Sequence, residues 1–205
     1  MARIPAGPEE REITYADARD KVRDGDLFLF RGEFLISKLF RRVDHSFYSH
    51  AALAAWWDDR LMILQAEGSG IQAIPMSVAI GTYPGRADWY ALKRDEIADF
   101  DAKLQKVLRE ARSDLGLAYG FGDLWRNIVR WAVQVKLSDP ARPRAMFCSE
   151  YVERCFREAG MSLTGRPDIT TFPKHIAASP LASYVGTIPH DPKLLEPRDD
   201  DAVRT

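Results

Sequence analysis

Short apolar runs that read as strands occupy the first half of the chain, and longer stretches with apolar residues at helical spacing occupy the second. A short helix at about 14–23 closes on Asp24-Gly25, and residues 26–31 (DLFLFR) then read as a strand, with an amphipathic piece at 33–42. Residues 49–57 and 60–67 form an apolar hairpin about Asp58-Asp59, and further short strands are predicted near 70–75 and 87–93. From about 96 to 114, Ile97, Phe100, Leu104, Val107, Leu108 and Ala111 recur at helical spacing, and Gly116 supplies the stop. A second helix is predicted over 121–137 with Trp125, Ile128, Trp131 and Val135. In a third, over 147–160, Cys148, Val152, Cys155, Phe156 and Ala159 make one stripe opposite Glu150, Glu153, Arg154, Arg157 and Glu158, and Gly160 ends it. A last strand is predicted near 183–188. Strands first and helices later imply an α+β fold with a mainly antiparallel sheet.

The hairpin carries a register. With the turn centred between Asp58 and Asp59, Trp56 faces Leu61 and, continued along the strands, His50 faces Glu67. Directly opposed residues have Cβ atoms about 4.5–5.5 Å apart on one face, within reach of an imidazole–carboxylate hydrogen bond. Each residue alone has a plainer explanation, His50 as a half-buried strand histidine and Glu67 as a strand-end carboxylate in water. Together they form an oriented histidine.

The third candidate is Cys148. Pro140 and Pro143 disfavour a helix before Phe147, so Cys148 stands in the first turn, where unpaired backbone N–H groups and the positive end of the helix dipole favour thiolate over thiol. The plainer reading is a small core residue on a helix face. A base at His50 and an orienting acid at Glu67 supply what a nucleophilic cysteine requires.

Composition narrows the field. The 205 residues, 46% of them hydrophobic, suffice for a buried core, and the chain is expected to be a single domain over 1–205, its core about 14–188, with a loose leader at 1–12 and a solvated tail at 190–205. A formal net charge of -1 and the lack of a basic stripe argue against a nucleic-acid partner. Cys148 and Cys155 lie about 10 Å apart along one helix at 1.5 Å rise per residue, too far to bridge. The N-terminal stretch has no apolar core of a signal peptide and no window approaches ~20 apolar residues, so a cytoplasmic protein is expected. Contact with a membrane surface is compatible with this composition and not required by it.

The runs GDLFLFRG (25–32), YSHAALAAW (48–56), LQAEG (64–68), LAYGFGDL (117–124), MFCSEYVERCF (146–156) and FPKHIAASPLASYVG (172–186) together resemble the circularly permuted NlpC-type papain-like cysteine hydrolases, and within them the YiiX/YebB-like branch. The resemblance implies a papain-like sheet or half-barrel packed against helices, with the histidine strand before the cysteine helix, the reverse of the ordinary papain order. It implies Cys148 as nucleophile, His50 as general base and Glu67 as the third polar residue. It also suggests Tyr119 as a pocket residue that assists the oxyanion, with Tyr48 as a weaker candidate. Arg31 is a candidate substrate contact, against the alternative of a surface arginine. The helix at 121–137 would then form a lid or one wall of the cleft.

The activity implied is acyl chemistry through a Cys148 thioester, with no cofactor. Hydrolysis of an amide in a peptide or cell-wall-like fragment is the first reading, and acyl transfer or hydrolysis of a lipid amide or ester is the second, so the partner is a small peptide, an amino-acid amide or a lipid-like molecule. Two rivals belong to other classes. One is a metal site recruiting Cys148, His50 and Glu67, against which stands the lack of zinc-type Cys/His spacing. The other is a lipid or peptide binder that keeps the fold without catalysis. His45, His175 and His190 are read as surface or structural.

Overall fold

The computed structural model describes residues 11–32, 48–67, 70–116, 148–166 and 171–196. Helix α1 (Tyr15–Arg19) leads into β1 (Leu27–Gly32), β2 (His50–Trp57), β3 (Arg60–Glu67), β4 (Gly70–Pro75), helix α2 (Met76–Thr82) and β5 (Gly85–Leu92). Helices α3 (Phe100–Ser113), α4 (Cys148–Glu158) and α5 (Pro173–Ala177) follow, and β6 (Ala182–Pro189) ends the sheet. The six strands stand in the order β4-β3-β2-β1-β5-β6, every adjacent pair antiparallel, and the sheet does not close. The α+β expectation therefore holds. The helix expected at 121–137, with Trp125 and Trp131, and the amphipathic piece at 33–42 lie outside the described residues.

Both faces of the sheet are covered. Leu27, Leu29, Ala51, Leu53 and Leu64 pack against Leu104, Val107 and Leu108 of α3 and Tyr151, Val152 and Phe156 of α4. The alternate residues Phe28, Phe30, Ala52, Ala54 and Ile63 pack against Ala18 of α1, Val22, and Met76, Ala79 and Ile80 of α2. This explains why β2 is continuously apolar from Ala51 to Ala55, where an antiparallel strand with one wet face would alternate. Its alanines let helix α4 approach the centre of the sheet.

The β2–β3 turn has the expected register, with Trp56 opposite Leu61 and Leu53 opposite Leu64. Asp58 adopts φ +52°, a left-handed conformation that Asp tolerates better than most side chains. Gly160, at φ +76°, ends α4 as expected. At Gly85 a side chain is excluded for another reason: a Cβ there would lie 2.4 Å from the carbonyl oxygen of Arg31 on the neighbouring strand.

Two helical segments are not announced by the apolar pattern. Residues 76–82 fall between two predicted strands and carry no element in the sequence reading, but Met76, Ala79 and Ile80 fill the second face of the sheet. Within the stretch expected as a tail from residue 190, residues 192–195 form a 3-10 turn close to α2, and the main-chain N–H of Asp191 and the His190 ring contact Ile80. At the other end, Ile13 N–H donates to Thr187 O and Glu12 bridges to Thr187, so the sheet begins to be flanked before residue 14.

Candidate active site

Helix α4 opens at Cys148, and the first four N–H groups of any α-helix lack intrahelical acceptors. Three contacts fix that helix start. Ser149 Oγ donates to Thr171 O at 2.7 Å, Tyr151 Oη donates to Ala111 O at 2.7 Å and ties α4 to α3, and Val152, Cys155 and Phe156 are wholly buried against the sheet. The result sets the half-buried Cys148 sulfur at the beginning of β2, hydrogen-bonded by the backbone of Ala51 and Ser149 and by the His50 side chain.

His50 is the first residue of β2 and lies opposite Phe30 of β1, whose ring packs at 5.5 Å from the imidazole. Its Nε2 stands 2.8 Å from Gln65 Oε1, which leaves Nδ1 for the Cys148 sulfur. Gln65 Nε2 in turn donates to Glu67 Oε1 at 3.0 Å, and Gln72 Nε2 of β4 donates to Glu67 Oε2 at 2.8 Å. The expected direct His50–Glu67 contact is thus replaced by a chain, His50 to Gln65 to Glu67. The physical reason lies in side-chain reach. Residues on one sheet face at diagonal positions are about 7–8 Å apart, and a long amide spans that gap. Gln65 is buried and bridges it, whereas Glu67 is exposed at the strand end and is drawn toward Gln72.

The electrostatics of the pair run in opposite directions. Burial opposes charge on both groups, raising the thiol and lowering the imidazole. The mutual attraction overrides it: the charge and hydrogen bond of His50, with the two backbone bonds, bring the Cys148 thiol below its usual value of 9.0. The Cys148 charge and hydrogen bond, the Gln65 acceptor and the Glu67 charge push His50 up to about 9. At neutral pH the arrangement therefore favours a thiolate–imidazolium pair. Such a pair is a nucleophile with its proton donor already in place.

A family model described as permuted papain-like amidase enzyme, YaeF/YiiX, C92 family, matches residues 21–184. The chain belongs to this family. It is a cysteine hydrolase of the amidase kind, and its β2 histidine before its α4 cysteine follows the permuted order. A crystal structure of the metalloprotein yiiX from Escherichia coli O157:H7 is similar, with TM-score 0.58 and 18% identity over 80% of this chain and 96% of that one. At that identity the likeness concerns the fold alone. No curated protein matches the chain by sequence.

In this permuted papain-like amidase the other expected site residues fare differently. Tyr119 lies outside the described residues, as does His45. Tyr48 is buried, and its hydroxyl donates to Asp88 Oδ2 at 2.8 Å while lying 2.8 Å from Tyr90 Oη. Because a carboxylate only accepts, the single Tyr48 hydrogen is committed there, which removes it as an oxyanion donor in this arrangement. Burial, helped by Tyr90 and Asp88, keeps that phenol protonated far beyond neutral pH. Arg31 is neither a surface residue nor open to substrate through its Nε, which is 3.1 Å from Asp88 Oδ1, with Nη2 3.2 Å from Thr187 Oγ1. Asp88 is wholly buried, so Arg31 neutralises a core carboxylate.

The remaining histidines act on backbone. His175 Nδ1 accepts the Phe172 N–H at the start of α5, and His190 contacts the Ile80 carbonyl. Among the described residues no group of three or more His, Cys, Asp and Glu side chains is placed to hold a metal ion. The metal reading of Cys148, His50 and Glu67 does not fit the donor geometry, since both His50 nitrogens are engaged, by Cys148 and Gln65, and Glu67 faces two amides. The residue that sequence reasoning missed is Gln65. Its signal was present: it lies two positions before Glu67, on the same face of β3, inside the LQAEG run.

Proposed function

We propose that this protein hydrolyses an amide in a small peptide or cell-wall-like fragment through a thioester on Cys148. The observation that carries the reading is the His50 imidazole on the Cys148 sulfur, with the thiol lowered and the imidazole raised. The thiolate attacks the amide carbonyl carbon, an S–C bond forms, and the carbonyl electrons become an oxyanion to which the Cys148 backbone N–H, in the first turn of α4, donates. Collapse of this intermediate expels the amine, which leaves with the proton from His50. Neutral His50 then takes a proton from water as the oxygen attacks the thioester, the acid is released and the thiolate–imidazolium pair returns. Gln65 holds the ring by its Nε2–H through both half-reactions.

The test is a panel of dipeptides, muropeptide fragments, N-acyl amino acids and phospholipids, assayed with and without an added amine or lipid acceptor. The expected result is release of free acid from an amide substrate by the parent protein, with acyl transfer to the acceptor as the competing outcome, turnover abolished in Cys148→Ser and lowered at least about 10^2-fold in His50→Ala. Amide hydrolysis that survives in both variants would overturn the reading.

A further inference from the structure

Glu67 is exposed, does not touch the imidazole, and yet accepts from amides of two different strands, Gln65 and Gln72. These contacts have a direction. A carboxylate can only accept, so the Gln65 end that faces Glu67 must be its NH2 group, and the end that faces His50 must be its carbonyl oxygen. A carbonyl oxygen can only accept, so His50 Nε2 must carry a hydrogen, whether the ring is neutral or cationic. The neutral ring then has its lone pair on Nδ1, the nitrogen left for Cys148. Among the described residues Glu67 is the obligate acceptor that faces the Gln65 amide, and without it a flipped amide would offer N–H to Nε2, which suits only an Nε2 without hydrogen. That arrangement puts the hydrogen on Nδ1 and opposes the imidazolium.

We infer that Glu67, held by Gln72, is a positioning residue that polarises the Gln65 amide and thereby sets the protonation pattern of His50, rather than the residue that orients the imidazole by direct contact. The inference rests on Cys148 and His50 being nucleophile and base, and goes beyond that reading in giving the carboxylate a task one residue removed from the ring. Gln72 pairs with Gln65 across the β3–β4 ladder, so the same strand pairing that builds the sheet brings both amides to one carboxylate. Among the described residues the charged and titratable groups that act on His50 are Cys148 from α4 and Glu67 from β3, while the β1 neighbour, Phe30, carries no charge. A wrong imidazole tautomer can be severe in a catalytic triad, costing up to about 10^4 in turnover.

Two measurements test this without any substrate. In the first, iodoacetamide alkylation of Cys148 is followed at about pH 6, where an ordinary thiol is almost wholly protonated. Glu67→Gln, which keeps size and side-chain reach at an exposed site, is expected to slow alkylation about tenfold, the size of one misplaced hydrogen bond to a charged group. The swapped pair, Gln65→Glu with Glu67→Gln, again has an obligate acceptor facing Nε2 and is expected to restore the rate to within about threefold of the parent. In the second, nitrogen-15 shifts of His50 are read in a Cys148→Ala background above the pKa of the ring. The hydrogen is expected on Nε2 when Glu67 is present and partly on Nδ1 in the added Glu67→Gln variant, a change that loss of charge alone does not produce. Equal tautomer populations in the two proteins, or parent-like alkylation by Glu67→Gln, overturn the inference while leaving Cys148 and His50 in place. Parent protein whose Cys148 reacts no faster than Cys155 overturns the site reading itself.

Discussion

Cys148 and Cys155 occupy the same helix, two turns apart, and the fold makes opposite groups of them. At the helix start, the His50 charge and the Ala51 and Ser149 backbone overcome burial and lower the Cys148 thiol. Further along, Cys155 is wholly buried between Val152, Phe156 and the sheet, and burial pushes it up to about 12, with Arg154 too weak a counterweight. Burial opposes the thiolate in both cases. What separates the two is a cation within hydrogen-bond reach, which the order of the strands places at one end of the helix only. The reactivity of Cys148 therefore comes chiefly from β2, whose His50 supplies the charge, with the start of its own helix adding the Ser149 backbone bond.

The contrast can be broken most severely at His50. His50→Ala removes the cation and leaves only the Ala51 and Ser149 backbone bonds against burial, so kcat/KM is expected to fall about 10^2- to 10^4-fold, and Cys148 to alkylate only as the pH rises toward that of an ordinary thiol. A smaller change is expected from Gln65→Leu, which keeps the imidazole but strips Nε2–H of its acceptor. A hydrogen bond to a charged group contributes about 1.5–3 kcal/mol, so kcat/KM should drop about 10- to 100-fold, with the basic limb of the pH profile moved below its position near pH 9 as the imidazolium weakens. Cys155→Ala sharpens the comparison from the other side. It should leave kcat/KM unchanged and lower the unfolding free energy by about 1–2 kcal/mol in denaturant titration, because it removes buried packing and a contact with Tyr151 away from His50.

Most of this contrast is legible in the amino-acid sequence, and the part that is not has a physical reason. Cys148 stands out because a proline-rich approach and a helical stripe locate a helix start without reference to distant residues. His50 stands out because the apolar pattern and the Asp58-Asp59 turn specify register, and register carries along a hairpin: Trp56 faces Leu61 as expected. Register specifies backbone neighbours, however, and not side-chain reach. Gln65 contacts His50 diagonally while Glu67, the residue nominally opposite, turns to Gln72, and the existence of that second amide depends on β3 pairing with β4. Arg31 shows the same limit. Its partner Asp88 comes from β5, beside β1 in the sheet but distant in the chain, and nothing local in GDLFLFRG announces a buried carboxylate. Helix α2 is hidden because its seven residues are too few to display a helical period, although Met76, Ala79 and Ile80 are core.

The pH dependence follows from the two directions. The reactive pair forms as pH rises through the lowered Cys148 value and is lost as pH rises through about 9, where His50 gives up its proton, so amidase activity should describe a bell with its basic limb near pH 9.

The central claim, that His50 makes a nucleophile of Cys148 and leaves Cys155 inert, is tested most directly by alkylating the folded protein with iodoacetamide at a series of pH values and quantifying both cysteines by peptide mass spectrometry. Cys148 should be modified well below pH 8 with an apparent pKa under 9.0, while Cys155 stays unmodified until the protein unfolds. Equal modification of the two, or a Cys148 profile that rises only above pH 9, would contradict it.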